Sequence, residues 1–165
     1  MQNINTQKLY LIGFFTCLMM MVYALYAEHQ LLLTPCPLCV LQRLAVTITG
    51  VLFLISALHN PKSNKRYIYS ALILSSSLSG VGIAGWHVYL QNLPIDKVPS
   101  CGPRFDYLIG NFPLSDALLL IFSGSGECAS IDWSFMMLSM PTWVVIFCLG
   151  LAALNIFASI ISDNK

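Results

Sequence analysis

Four long apolar stretches constrain this chain more than any other feature of its sequence. They cover residues 9–27, 40–58, 68–90 and 143–161. A helix of about 20 residues crosses the roughly 30 Å of hydrocarbon in a bilayer, so each stretch can span a membrane. Of the eight basic and seven acidic residues, only Arg43 falls inside a stretch. The sequence therefore predicts an integral membrane protein of the all-α class, a four-helix bundle forming a single membrane domain over the whole chain.

The composition agrees with this class. Charged residues make up 9% of the chain, against about 25% in an average soluble domain. Such a chain is neither a disordered protein nor a nucleic-acid binder with a basic face, and it is unlike most cytosolic enzymes. The first stretch is longer than the apolar core of a cleaved signal peptide, which has about 7–15 residues. We expect it to be retained as the first helix.

The distribution of positive charge predicts the orientation, because basic residues of short loops collect on the cytoplasmic side of a membrane. The basic residues that share one side are Lys8, Lys62, Lys65, Arg66 and Lys165. The opposite side receives loops 28–39 and 91–142, and the second loop holds most of the acidic residues. Both termini are therefore expected in the cytoplasm, with the two cysteine-bearing loops outside.

One segment of the long loop, Leu114 to Phe122, is apolar but too short to span a bilayer. It predicts a short helix lying at the membrane surface, with Ser115 as its N-cap and Asp116 in its first turn. The alternative is a stretch of loop that packs on the bundle.

Four of the cysteines fall on the predicted outer side, where disulfides persist. They are Cys36, Cys39, Cys101 and Cys128. The other two, Cys17 and Cys148, lie in mid-membrane, where they are most simply small apolar helix residues.

The sequence Cys36-Pro37-Leu38-Cys39 is a C-x-x-C motif at the start of the second stretch. Such a motif is either a redox pair or half of a zinc site. Zinc would need a second close pair, and Cys101 and Cys128 are far apart in sequence, although His29 could add one ligand. We therefore expect no metal.

Helical spacing favours the redox interpretation of this motif. On a helix, Cys36, Cys39 and Arg43 would share one stripe, with Arg43 one turn deeper. A helix N-terminus and a nearby cation both favour the reactive thiolate of Cys39.

Three polar side chains accompany the motif at the predicted membrane edge. Arg43 either donates hydrogen bonds to an oxygen of a bound ligand or anchors the helix at the interface, and Gln42 can share either role. His87 is expected at a similar depth, as a structural residue or as a hydrogen-bonding group near the same ligand.

Cys101 and Cys128 lie among glycines, prolines and serines of the long loop. A structural disulfide that closes the loop is the ordinary interpretation. Exposed and weakly supported disulfides are also the labile or catalytic ones, so a redox role stays open.

Five segments, taken in order, resemble the DsbB family of bacterial disulfide bond formation proteins. They are Cys36–Arg43, Pro99–Pro103, Gly126–Ala129, Trp133–Phe135 and Met140–Trp143. The resemblance implies a quinone-dependent thiol oxidase of the bacterial inner membrane. It would re-oxidise a periplasmic DsbA-like oxidant with a thioredoxin fold, and the quinone could be ubiquinone or menaquinone.

The resemblance also implies a role for each matching residue. The partner's thiolate would attack the Cys101–Cys128 disulfide, with Cys101 forming the mixed disulfide, and the loop thiols would then reduce the Cys36–Cys39 disulfide. Cys36 would exchange with the loop, and Cys39 would face the quinone. Arg43 would bind and polarise the quinone and His87 would lie close to it. Gln42 departs from the pattern, because some members have an acidic residue there.

Two rival functions remain. A tetraspanin-like membrane organiser would use the loop disulfide as a static staple, but it leaves the C-x-x-C motif unexplained. A quinone-linked reductase of the vitamin K epoxide type would have its C-x-x-C motif near the last span, not at the second.

Overall fold

The computed structural model describes residues 3–61, 64–94, 107, 110, 112–123, 128 and 133–163. Its elements, in chain order, are α1 (Asn3–Gln30), α2 (Pro37–His59), α3 (Asn64–Gln91), α4 (Leu114–Ser123), β1 (Ser134–Phe135), β2 (Leu138–Ser139) and α5 (Met140–Asp163). Among the described residues, α1, α2, α3 and α5 are long and apolar enough to cross a membrane. The predicted fold class is confirmed.

The four long helices extend beyond the stretches that the apolar pattern predicts. The largest difference is at α1, which begins at Asn3 and continues past residue 27 to Gln30. Polar residues end an apolar stretch, but they do not end the backbone hydrogen bonding of a helix. Glu28 therefore lies on α1 and not in the predicted outer loop 28–39.

The long helices pack in a ring in which α2 lies between α1 and α3, and α5 lies between α3 and α1. The contact of α1 with α5 is the least extensive of the four neighbouring contacts. One apolar cluster fills the centre of the bundle, with Tyr10, Phe53 and Ile73 almost fully buried. A second cluster joins Leu38, Leu90 and Ile121 to two cysteines at the end of the bundle where α2 begins.

Glycines permit the closest helix contacts. A Cβ atom at Gly13 of α1 would lie 2.6 Å from the Phe53 ring of α2, and one at Gly80 of α3 would lie 2.9 Å from Cys148 Sγ. Cys17 packs in the same way at Gly50. Cys17 and Cys148 are both buried, in agreement with the prediction that they are small apolar packing residues.

Replacing Gly13 with alanine should destabilise the bundle. The added methyl group overlaps the Phe53 ring, and overpacking of this kind costs about 1–3 kcal/mol. The matched control is Gly82→Ala on α3, where a Cβ meets no atom within 4 Å. That change should be neutral or stabilising by up to about 1 kcal/mol, through helix propensity. Reversible unfolding in detergent measures both, and equal effects would contradict this packing.

The short helix predicted in the long loop is confirmed as α4. Ser115 as its N-cap is wrong, because the helix begins at Leu114 and the Asp116 N–H already donates to the Pro113 carbonyl at 3.0 Å. Proline, with its fixed φ, starts the turn two residues earlier than the serine would. Ile121 is buried against the bundle while Leu119 is 71% exposed, so α4 packs on the bundle with one face, and its place at the membrane surface stays a prediction.

A two-stranded hairpin before α5 was not predicted. Ser134 pairs with Ser139 and Phe135 with Leu138, and the turn residues Met136 and Met137 have φ of 53° and 65°. Turns with two positive φ values usually carry Asn-Gly, so Met-Met offers no sequence signal for one. The Trp143 indole donates to the Phe135 carbonyl at 3.2 Å, which holds the hairpin against α5.

Candidate functional site

The C-x-x-C motif forms the N-terminal cap of α2. Cys36 has an extended backbone (φ −70°, ψ 161°), and its sulfur accepts the Cys39 N–H at 3.2 Å. Pro37 takes the first helical position, where the missing N–H costs nothing. The two sulfurs lie 2.7 Å apart, and no large movement is needed to join them.

The predicted stripe of Cys36, Cys39 and Arg43 is only partly correct. Cys36 precedes the helix, so the stripe on α2 holds Cys39 and Arg43 alone. The cap geometry is the reason, because a capping residue must leave helical φ and ψ to present its side chain to the first turn.

His87 joins the motif to the long loop. Its Nε2 lies 3.0 Å from the Cys128 carbonyl oxygen and 3.8 Å from Cys36 Sγ, and its Nδ1 lies 2.9 Å from Gln42 Nε2. Because the Gln42 amide donates to Nδ1, the ring proton is on Nε2 and is donated to Cys128. His87 and Gln42 together hold the Cys128 backbone beside Cys36.

We call Cys36, Cys39, His87 and Cys128 the cysteine cluster. Cys36 Sγ, a ring nitrogen of His87 and Cys128 Sγ all lie within 4.8 Å of one another, and these three residues are buried. The pKa of the Cys36 thiol is raised. The largest cause is its hydrogen bond with the Cys128 side chain, followed by its hydrogen bond with the Cys39 side chain and by burial. A reduced Cys36 therefore stays protonated at neutral pH, which makes it a poor attacking group.

Arg43 contacts α1, and within the described residues it does not contact the thiols. Its guanidinium forms an ion pair with Glu28 and donates to the Ala24 carbonyl oxygen at 3.2 Å. These contacts engage only part of its five N–H donors. Glu28 is the residue that the sequence interpretation missed. The available signal was an acidic residue near the same predicted membrane edge as Arg43.

A cavity of about 810 Å³ opens along the seam between α1 and α5, with α2 contributing part of its lining. Most of its lining is apolar and includes Met19, Met20, Val144 and Phe147. The polar and sulfur-bearing side chains that reach it include Glu28, Cys36, Cys39, Gln42, Arg43 and His87. Ligand sites typically have this size and this mixture of apolar walls with a few polar groups.

Comparison with known proteins identifies a family that matches most of the chain. The model of the family described as "Disulfide bond formation protein DsbB" matches residues 6–158. The chain belongs to the DsbB family. The resemblance predicted from the sequence is confirmed, and membership supports a role in disulfide bond formation.

Curated DsbB relatives cover nearly the same length. Disulfide bond formation protein B of Nitrosococcus oceani is 44% identical over 155 residues, which are 94% of this chain and 92% of the relative. The protein of the same name from Methylococcus capsulatus is 44% identical over 152 residues, covering 92% and 93%. That of Acinetobacter baumannii is 51% identical over 125 residues, covering 74% and 72%.

In this chain, six of the seven predicted site residues come together. Cys36, Cys39, Gln42, Arg43 and His87 all line the cavity. Cys128 lies against Cys36 and His87. The seventh, Cys101, lies outside the described residues.

Proposed function

We propose that this protein is a quinone-dependent membrane thiol oxidase that re-oxidises a periplasmic DsbA-like protein with a thioredoxin fold. One observation carries the proposal. The long-loop residue Cys128 is buried beside Cys36, while the Cys36–Cys39 pair lies in the wall of a largely apolar cavity. Such a site can pass electrons from a watery loop to a lipid-soluble acceptor.

The first exchange takes place in the loop. A thiolate of the partner attacks Cys101 of the Cys101–Cys128 disulfide, which forms a mixed disulfide and releases Cys128. The partner's second thiol then breaks the mixed disulfide and releases Cys101. The partner leaves oxidised, and the loop pair has gained two electrons and, at neutral pH, the protons of two thiols.

The second exchange joins the two pairs. The Cys128 thiolate attacks Cys36 of the Cys36–Cys39 disulfide, and Cys39 leaves as a thiolate at the N-terminus of α2, where the helix dipole stabilises it. Cys101 then attacks Cys128, which re-forms the loop disulfide and releases Cys36. The raised pKa of Cys36 favours this order, because a released Cys36 takes a proton and attacks in the reverse direction only slowly.

The residues around the cavity fit a quinone. When bound, a quinone supplies the oxidising power, because it takes up two electrons and two protons. The apolar walls match its ring and tail, and the remaining N–H donors of Arg43 match a carbonyl oxygen. Cys39 lies in the same wall. Glu28 balances the charge of Arg43 and holds its guanidinium in place.

The distribution of basic residues along the bundle supports a defined orientation in the membrane. Lys8 of α1 and Lys65 and Arg66 of α3 lie at the end of the bundle opposite the cysteine cluster, since each belongs to the first turns of a helix that ends near the cluster. Basic residues favour the cytoplasmic side. We therefore propose a bacterial inner-membrane protein with both termini in the cytoplasm and the cluster at the periplasmic edge.

Changing the exposed apolar face of α4 should slow exchange between the two cysteine pairs several-fold. Leu119 and Phe122 are exposed, whereas Ile121 on the same helix packs with Cys36 and Cys128. A helix with such a face rests on the membrane surface and keeps the loop near the cluster. The test is Leu119→Ser with Phe122→Ser, followed by rapid-quench trapping of thiols, with Ser115→Ala as the control. Unchanged exchange rates would remove this role.

The experiment that tests the proposed function uses the purified full-length protein in detergent with a water-soluble ubiquinone analogue. A reduced thioredoxin-fold oxidant is added, and its thiols are followed with time. The proposal predicts catalytic loss of thiols that requires both the protein and the quinone. A static membrane organiser would give no turnover, and that result would overturn the proposal.

A further inference from the structure

Three ligand-bearing side chains of the cysteine cluster converge on one point. The Sγ atoms of Cys36 and Cys128 and a ring nitrogen of His87 lie within 4.8 Å of one another, and Cys36 Sγ is 3.8 Å from His87 Nε2. Ligand atoms of a tetrahedral zinc ion are about 3.5–3.8 Å apart, given bonds of about 2.0–2.3 Å. The cluster is therefore close to the geometry of a metal site.

We propose that the reduced protein binds one thiophilic metal ion of the Zn²⁺ or Cd²⁺ type through Cys36, His87 and Cys128. The fourth position is left to the sulfur of Cys39, which is 2.7 Å from Cys36 Sγ and would have to move about 1 Å away from it to reach the spacing of two thiolates on one ion. Sequence spacing argued against a metal because it offered no second close pair. In the structure the three ligands come from the cap of α2, from α3 and from the long loop. Their spacing along the sequence therefore does not reveal the site.

Gln42 supplies the outer support that such a site needs. A ligating histidine usually donates its other ring N–H to a fixed acceptor. For His87 Nε2 to bind the ion, its proton must move to Nδ1, and the Gln42 amide must turn to present its oxygen. The side chains are already 2.9 Å apart and both are buried, and an amide can present either end to the ring. Each thiol that binds gives up its proton to solvent.

Metal binding would depend on the redox state and would oppose the relay. An ion needs the thiolates of Cys36 and Cys128, so a disulfide at either residue removes the site. A bound ion in turn prevents both sulfurs from exchanging. This inference goes beyond the proposed function, since binding requires neither the quinone nor the partner.

The test is a titration of the purified full-length protein, reduced with a phosphine and free of quinone, with CdCl₂ alone. Sulfur-to-cadmium charge transfer in the ultraviolet reports binding, and elemental analysis counts the ions. We expect one ion per chain and none after oxidation of the thiols with diamide. Cys128→Ser and His87→Gln should each weaken binding by at least about tenfold, because even outer-sphere changes often cost that much. The controls Cys17→Ala and Cys148→Ala remove buried thiols outside the cluster and should bind as the parent does.

Absence of a charge-transfer band in the reduced parent protein would overturn the inference. Equal affinity in the parent, Cys128→Ser and His87→Gln would also overturn it, because the ion would then be held without Cys128 and His87. His87→Gln keeps a hydrogen-bonding side chain, and helical circular dichroism checks that each variant is folded. Thiol oxidation is measured separately, so a protein that binds Cd²⁺ without turnover would count against the proposed function only.

Discussion

Replacing Cys39 with serine should reduce quinone-linked turnover to the background rate and leave Cys36 joined to Cys128. Without Cys39, the Cys36–Cys39 disulfide cannot form, and Cys36 is left as a thiol. Its sulfur and that of Cys128 are within 4.8 Å of each other. Cys36 is mostly protonated and attacks slowly, but it still reaches the loop disulfide at Cys128, releases Cys101 and accumulates in the new linkage. Because Cys39 is absent, no sulfur in the cavity wall can attack Cys36 and break the new Cys36–Cys128 disulfide. Peptide mapping by mass spectrometry under non-reducing conditions identifies the linkage.

The matched control for this variant is Cys17→Ala. Cys17 is buried in the bundle and packs at Gly50, away from the cysteine cluster. Its loss should leave turnover unchanged. Substantial turnover in Cys39→Ser, or a Cys36 that stays a thiol there, would contradict the proposed order of exchange.

Replacing Arg43 with methionine should lower kcat/KM for the quinone by about 10–150-fold. Methionine keeps an apolar stem in the cavity wall and removes the charged donors. A hydrogen bond to a charged group contributes about 1.5–3 kcal/mol, and each 1.4 kcal/mol corresponds to a factor of about ten. Steady-state kinetics with varied quinone concentration measure the effect. Exchange between the cysteine pairs without quinone should be unchanged, because Arg43 contacts Glu28 and Ala24 and none of the sulfur atoms that the structure describes.

Two further variants decide between the interpretations of Arg43. If the arginine only anchors α2 at the membrane interface, Arg43→Lys should behave as the parent, since lysine anchors equally well. If it binds a quinone oxygen, lysine should restore only part of the activity, because it lacks the planar fork of donors. Glu28→Gln keeps the shape but loses the ion pair, and it should have a smaller effect than Arg43→Met. A parent-like kcat/KM in Arg43→Met would remove Arg43 from the quinone site.

The four long helices could be predicted because a bilayer imposes a simple requirement of length and apolarity. Their ends could not, since helical hydrogen bonding continues past the first polar residue. At α1 the helix continues past the predicted end to Gln30. The additional residues place Glu28 where it forms an ion pair with Arg43. The hairpin at Met136 and Met137 has positive φ without glycine or asparagine, and local sequence offers no sign of it.

The sequence predicts the contacts of the site that join residues close together in the chain, but not those that join distant residues. The pairing of Cys36 with Cys39 follows from spacing within one turn. The contact of Cys128 with Cys36 and His87 joins distant parts of the chain, and only the fold brings it about. Arg43 lies on the expected face of α2 with Cys39, but its partner on α1 depends on how the two helices pack.

The most direct test of the central claim is the stoichiometry of electron transfer. Thiols lost from the reduced thioredoxin-fold partner and quinone reduced are measured together, with the purified protein at catalytic concentration and the quinone limiting. The proposed relay predicts two thiols lost for each quinone reduced, with both processes stopping when the quinone is used up. Thiol loss that continues without quinone, or quinone reduction unmatched by thiol loss, would contradict it.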